Sequence, residues 1–300
     1  MIRLVKSVVR SIPPIREAIR ERFELRRLNP GHYYSPIPNM REVEKNKEYL
    51  FNRKLRDIPG VDLDIHGQLA LLEELSKFYT EQPFSPEPSA SRRYYFENEF
   101  YSYSDALFLY GMIRHSRPKR IIEIGSGFSS FVMLDINYLF FDGKIRLTFI
   151  EPDDTRLKSR LRPGDEENVE IVPARLQEFD LARFRSLEAG DILFVDSSHV
   201  VKIGSELNLI LFEILPLLAK GVFVHFHDVF YPFEYPAEWI KSGRYWNEDY
   251  VLRAFLQFNS SFKIRIWDEF LGLFYADKLQ SLMPLCLKNL GGSLWLQRCA

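Results

Sequence analysis

Residues 91–300 predict an α/β domain built on a doubly wound, seven-stranded sheet with helices on both faces, behind a helical N-terminal section at residues 1–90. Three observations carry this. Short β-type runs alternate with helical runs from Arg120 onward. The first of those runs ends in a Gly-x-Gly turn that opens a helix. A Pro and Ser cluster, Gln82–Ser91, separates the helical start from the alternating part, and the domain boundary is expected there.

From the N-terminus, residues 1–28 interleave Arg3, Lys6, Arg10, Arg16 and Arg20 with Ile2, Val5, Val9, Ile12, Ile15 and Ile19, a basic amphipathic pattern broken by Pro13-Pro14. Peripheral contact with an anionic membrane surface and packing on the protein's own domain, or on a second copy in a homo-oligomer, read alike in such a segment. Asn29–Pro38 is rich in turn formers and reads as a connection, followed by helices at Met40–Leu55 and Leu63–Tyr79. The expected strands are Arg120–Ile124, Ile145–Glu151, Val169–Pro173, Asp191–Asp196, Gly221–Asp228, Phe262–Trp267 and Ser293–Arg298. The expected helices between them are Ser129–Leu139, Thr155–Leu161, Leu181–Leu187, Ser205–Leu218 and Asp277–Leu282.

The 300 residues, 46% of them hydrophobic, are enough for a sizeable core. Lys and Arg (40) balance Asp and Glu (41), so no protein-wide basic field attracts nucleic acid. Two cysteines, Cys286 and Cys299, make no disulfide framework or zinc motif. Every apolar run is broken well short of the ~20 residues of a membrane span. A soluble, cytoplasmic protein is expected.

Ile121–Ser130 is the segment that carries chemistry. Gly125 and Gly127 allow a tight turn and the close approach of a ligand, and Ser129 or Ser130 is placed to cap the helix that follows. A dinucleotide site would want another glycine at Ser130. Glu123 is an acid on an otherwise apolar strand, so it is expected to reach the crevice and meet a cationic, donor-rich ligand. Glu151, at the end of the second strand, stands where an acid accepts from both hydroxyls of a ribose.

On these residues the chain resembles the class I S-adenosylmethionine-dependent methyltransferases over roughly Tyr94–Arg298. The resemblance implies a Rossmann-like, mostly parallel sheet with an antiparallel last strand, and S-adenosyl-L-methionine as the methyl donor. It implies that Glu123, Gly125 and Gly127 hold the methionine part and Glu151 the ribose, with Ser126, Ser129 and Asp196 completing the donor set. Ser129 stands where many members carry a third glycine. Pro173–Asp180 occupies the position of the adenine contact, with Leu176, Gln177 and Glu178 as candidates.

Polar residues gather at the carboxyl ends of strands four and five, where the crevice of such a sheet lies. Asp196, Ser197, Ser198 and His199 follow strand four, and His225, His227 and Asp228 end strand five. In one reading His199 or His227 is the general base for an acceptor hydroxyl, oriented by Asp196 or Asp228. In the other, Asp196, His227 and Asp228 hold a divalent cation. The chain is similar to the branch of macrocin O-methyltransferase and cephalosporin hydroxylase-like proteins, in which D-x-x-H follows strand four, an acidic pair follows strand five, and magnesium is often bound. Here His227-Asp228 replaces the acidic pair, so a metal-free base is the expectation. His225, deeper in its strand, is expected to be structural.

The aromatic loop Val229–Trp239 offers Tyr231, Glu234, Tyr235 and Trp239 either as a sugar or aromatic-acceptor surface or as a stiff buried loop. Before strand one, Ser104 or Asp105 is expected to cap a helix, and Tyr95, Asn98 and Tyr103 to border the donor pocket. The resulting expectation is O-methylation of a hydroxyl on a glycan or small molecule. The rivals are an NAD-dependent oxidoreductase, which leaves Glu123 and Ser130 unexplained, a non-catalytic nucleotide-binding module, and a metallohydrolase built on His225–Asp228.

Overall fold

The computed structural model describes residues 28–300. The basic amphipathic start, but for Leu28, lies outside the described residues. Contacts divide the described chain into two compact units. One comprises residues up to Asn52 with Pro236–Tyr245, and the other comprises Arg53–Tyr235 with Trp246–Ala300.

In the smaller unit the helical run expected over Met40–Leu55 is two short helices, Met40–Lys45 and Lys47–Leu50. Asn39 caps the first by accepting from the Arg41 N–H. Trp239 lies on the helix Ala237–Lys241 of the same unit, with the Arg244 guanidinium over its ring.

The larger unit is one sheet of seven strands in the order β3-β2-β1-β4-β5-β7-β6. The strands are β1 (Arg120–Ile124), β2 (Arg146–Ile150), β3 (Val169–Val172), β4 (Ile192–Val195), β5 (Phe223–Phe226), β6 (Phe262–Trp267) and β7 (Leu294–Arg298). β1 to β5 pair in parallel, and β7 runs antiparallel to both β5 and β6. β4 and β5 are buried throughout, which is why they read as unbroken apolar runs. The chain winds outward through β2 and β3 on one side of β1 and through β4 and β5 on the other. The reversal between β1 and β4 opens a crevice at their carboxyl ends.

Two helices flank that crevice, Tyr103–Ser116 and Phe128–Phe141, both with long buried stretches. The first begins at Tyr103 with Ser102 as its cap position, so neither Ser104 nor Asp105 caps it as expected. Both are buried in its first turn instead. Among the described residues four α-helices have no counterpart in the sequence reading beyond that cap: Tyr103–Ser116, Ala237–Lys241, Glu248–Leu256 and Asp268–Phe274.

The boundary expected at Gln82–Ser91 does not coincide with the division of contacts, which falls at Arg53. Phe84 explains this, because its buried ring packs edge-on against Tyr94, 4.8 Å between centroids, and ties the Pro and Ser cluster to the core. The helix Ile65–Ser76 likewise belongs to the larger unit. Gln68 in it donates to the Leu63 carbonyl and accepts from the Trp267 N–H of β6.

Arg93 pins the next segment. It is 2% exposed, bonded through Nη1 to Asp135 at 2.9 Å and through Nη2 to both oxygens of Asp165, while Nε donates to the Arg160 carbonyl. Asp135 also accepts from the Arg93 and Tyr94 N–H groups. Breaking one partner of a buried pair leaves an uncompensated charge, so Asp135→Asn is expected to cost roughly 3 kcal/mol in urea unfolding. A loss below about 1 kcal/mol would show that this segment is held by other contacts. Among the described residues no helix is long and apolar enough to cross a membrane, and Cys286 and Cys299 are both free.

Candidate active site

The glycine turn is fastened from both sides. Gly125 has φ +82°, and a Cβ there would stand 1.8 Å from the Asp196 carbonyl oxygen, so the end of β1 lies directly against the segment leaving β4. Only a residue without a side chain fits. Gly127 is different, with an extended φ of −172° and its nearest neighbour, Arg156 Nη1, 3.7 Å from a built Cβ. Ser126 donates its N–H to Glu151 Oε2 at 3.1 Å, and the other oxygen of Glu151 accepts from the Asp153 N–H. Glu151 thereby joins the turn to β2 while it remains partly exposed to the crevice.

Glu123 corrects the sequence reading. It is fully buried, and its two oxygens accept from the Ser129 and Ser130 hydroxyls at the start of the following helix. Burial pushes its pKa up to about 8 against the pull of those hydroxyls. The carboxyl is a brace beneath the turn, not a free anion aimed into the crevice. The cap position of that helix is Gly127, so both serines lie inside its first turn and neither is the cap expected; Ser130 accepts from the Gly127 N–H, and Ser129 faces Glu123 and not the cleft.

The crevice is a cleft of about 550 Å³ that brings together Gly125, Glu151, Leu176, Gln177 and Asp196. Gln177 is tied by its amide to the Gly204 carbonyl across the cleft, whereas Glu178 is not part of the lining. A glycine pressed against the neighbouring strand, a partly exposed acid at the end of β2 and an acid at the end of β4 thus meet in one cleft at the switch point of the sheet.

Next to it lies the polar cluster. His199 Nδ1 is 2.8 Å from Glu248 Oε2, both residues being buried, and its Nε2 faces Asp196 at 3.6 Å and Asp228 at 3.7 Å. The Trp246 ring lies 4.4 Å from the imidazole, centroid to centroid. His227 Nδ1 faces Asp196 at 3.5 Å and Asp228 at 3.6 Å, and its Nε2 faces Asp105 at 3.8 Å. His199 and Asp228 both have left-handed backbone, φ +58° and +57°, a cost tolerated only where surrounding contacts fix it.

Both histidines are pushed toward the charged form, His227 the further of the two. Burial works to lower the His199 pKa, but the Glu248 hydrogen bond and the charges of Asp228 and Asp196 outweigh it and leave the ring above its ordinary value. For His227 burial is again opposed, here by Asp228, Asp196 and Asp105 together, and the ring is held well above its ordinary value. His227 is therefore a buried cation among three carboxylates. Burial would raise Asp196, yet His227 and His199 hold it down at about 2. His225 is structural as expected, bonded to the Ser293 hydroxyl and stacked on Phe194 at 3.8 Å.

Glu248 orients His199, a role the sequence reading gave to Asp196 or Asp228, and it had no place in that reading. Asp105, taken there as a cap, supports His227 instead. The aromatic loop takes its buried alternative: Tyr231 and Tyr235 are fully enclosed, Tyr231 bonds to the Leu55 carbonyl, and Glu234 accepts from the Tyr250 hydroxyl. Asn98 spends its amide on its own loop, through bonds to the backbone of Tyr95, Phe100 and Tyr101. Tyr103 is buried with its hydroxyl on Glu97, and Tyr95 packs edge-on against Phe128. Among the described residues no three His, Cys, Asp or Glu side chains are arranged to hold one metal ion, the set Asp196, His227 and Asp228 included.

Residues 122–229 match the methyltransferase domain family. An uncharacterized protein of Archaeoglobus fulgidus is 38% identical over 164 residues, 53% of this chain and 73% of its own. Among solved structures, the O-methyltransferase TomG of Streptomyces achromogenes, crystallised with S-adenosylmethionine, is 16% identical over 87% of this chain and 97% of its own, with a TM-score of 0.43. The S-adenosylhomocysteine-bound methyltransferase PaMTH1 of Podospora anserina is 14% identical over the same shares, with a TM-score of 0.42. With its domain match spanning the glycine turn, Glu151, Asp196 and the His227-Asp228 tip, the chain belongs to the class I S-adenosylmethionine-dependent methyltransferases.

Proposed function

We propose that the protein moves a methyl group from S-adenosylmethionine to a hydroxyl oxygen of a small molecule or glycan, with His199 as the base. The observation that carries this reading is the His199–Glu248 dyad. Glu248 holds Nδ1 at 2.8 Å, so Nε2 is the nitrogen left to face the reaction space beside Asp196 and Asp228. Bound in the cleft, the donor supplies an electrophilic methyl group on a cationic sulfur. Nε2 takes the acceptor's proton as its oxygen forms the new bond to carbon, and the carbon–sulfur electron pair returns to sulfur. The imidazolium so formed lies beside two carboxylates and is stabilised by them. His227, already cationic and enclosed, has no capacity for a further proton, and its charge offsets the acids around it.

The donor cleft contributes alignment. Glu151 fixes one end, the glycine turn brings the backbone close, and Asp196 stands at the junction with the base.

Calorimetric titration with S-adenosylhomocysteine and, separately, with NAD tests the donor. Micromolar binding of the first and none of the second is expected, and binding of NAD alone would overturn the reading. Incubation with methyl-labelled donor and a cell extract then tests the acceptor atom. Label recovered on an oxygen is expected, and label found only on nitrogen or carbon would refute the hydroxyl assignment.

A further inference from the structure

We infer that Arg156 binds the carboxylate of the donor's amino-acid head and thereby selects donors that carry one. The inference rests on the donor reading above and names a contact for the part of that molecule which the cleft residues leave unassigned. Arg156 follows Glu151 by five residues, exposed on the short helix Thr155–Lys158. Its guanidinium, though exposed, has a fixed neighbour. It lies over the Phe100 ring, 4.4 Å from the centroid, and Phe100 stacks on Phe128, the first residue of the helix that leaves the glycine turn. A cation held on an aromatic face keeps its charge and loses rotamer freedom before any ligand arrives.

The place where it is held matters. Nη1 stands 3.7 Å from where a Cβ on Gly127 would be, at the end of the turn away from Gly125 and the β4 junction. Ser126, between the two glycines, gives its N–H to Glu151, and its hydroxyl is buried with no hydrogen-bond partner. A donor whose ribose meets Glu151 and whose sulfur faces the Asp196 end has a short amino-acid arm that must lie along this turn. Arg156 and the unpartnered Ser126 hydroxyl stand beside it. Of the two acids that precede it, Asp154 pairs with Lys158 at 2.7 Å, and Asp153, which feels the Arg156 charge, has its carboxylate engaged by the Thr155 N–H. Among the described residues no carboxylate forms an ion pair with Arg156, whose contact is with a ring. A planar guanidinium that presents two parallel N–H groups matches a carboxylate.

The test compares S-adenosylmethionine with its decarboxylated form by calorimetry, on the full chain and on Arg156→Ala and Arg156→Lys. The side chain is exposed, so both variants are expected to fold with unchanged thermal midpoints. Arg156→Ala is expected to weaken S-adenosylmethionine binding on the order of tenfold or more and to leave the decarboxylated ligand within about twofold. Arg156→Lys is expected to restore part of the loss, because it returns the charge without the fork. Equal weakening of both ligands, or of neither, would overturn the assignment. Wild-type protein that binds neither ligand would instead remove the donor reading, a failure distinct from a variant that binds S-adenosylmethionine as the wild type does.

Discussion

His199→Ala is expected to lower kcat by about 10²–10⁴-fold, the range that general-base catalysis supplies, with the S-adenosylhomocysteine Kd within about twofold of wild type. The separation of the two readouts follows from the geometry. His199 is bonded to Glu248 and faces Asp196 and Asp228, but it does not line the donor cleft. A variant that keeps more than about a tenth of kcat would move proton removal to another group. The pH profile gives a second reading of the same dyad. The base acts in its neutral form, so kcat/KM rises with pH through the His199 pKa, which lies above its ordinary value. Glu248→Gln removes the hydrogen-bonded anion that outweighs burial. The midpoint of the rising limb is therefore expected to move to lower pH, with kcat reduced on the order of tenfold. A midpoint that stays in place would show that Glu248 does not set the charge of this ring.

The sheet was largely legible because its strands obey simple physics. β4 and β5 sit between helical layers and read as apolar runs, and the turn after β1 is marked by glycines that few other backbone shapes require. The helix Glu248–Leu256 was not, and with it Glu248 was lost. Acids in a first helical turn are routine, and nothing local tells Glu248, 49 residues beyond His199, that it points at a buried imidazole. Glu123 failed for a different reason. A lone acid in an apolar strand must have a partner, which is sound, and the partners the structure shows are the Ser129 and Ser130 hydroxyls. The pair of serines following the turn was the available signal, and it was read only as a cap. Tyr231 and Tyr235 were ambiguous in sequence because an aromatic loop that binds and one that packs have the same composition; burial decided between them.

Gly125→Ala is expected to abolish donor binding, whereas Gly127→Ala is expected to be tolerated, although the two glycines look equivalent in sequence. At Gly125 two costs add. The left-handed backbone, φ +82°, disfavours any side chain by about 1 kcal/mol or more, and the new methyl group would lie 1.8 Å from the Asp196 carbonyl oxygen. That oxygen belongs to backbone, so no rotamer change relieves the overlap. β1 and the segment after β4 must separate, and they carry Glu151's bond to the turn on one side and Asp196 on the other. A loss of more than 100-fold in S-adenosylhomocysteine affinity is expected, together with a lowered thermal midpoint. At Gly127 φ is extended and the nearest atom is Arg156 Nη1 at 3.7 Å, so a methyl group meets only ordinary contact. The pair of variants also guards against a trivial outcome. If Gly125→Ala fails to fold, a Gly127→Ala protein that folds and binds the donor still shows that the close approach of β1 and β4, and not the glycine content of the turn, shapes the cleft. Equal damage from both substitutions would overturn that account.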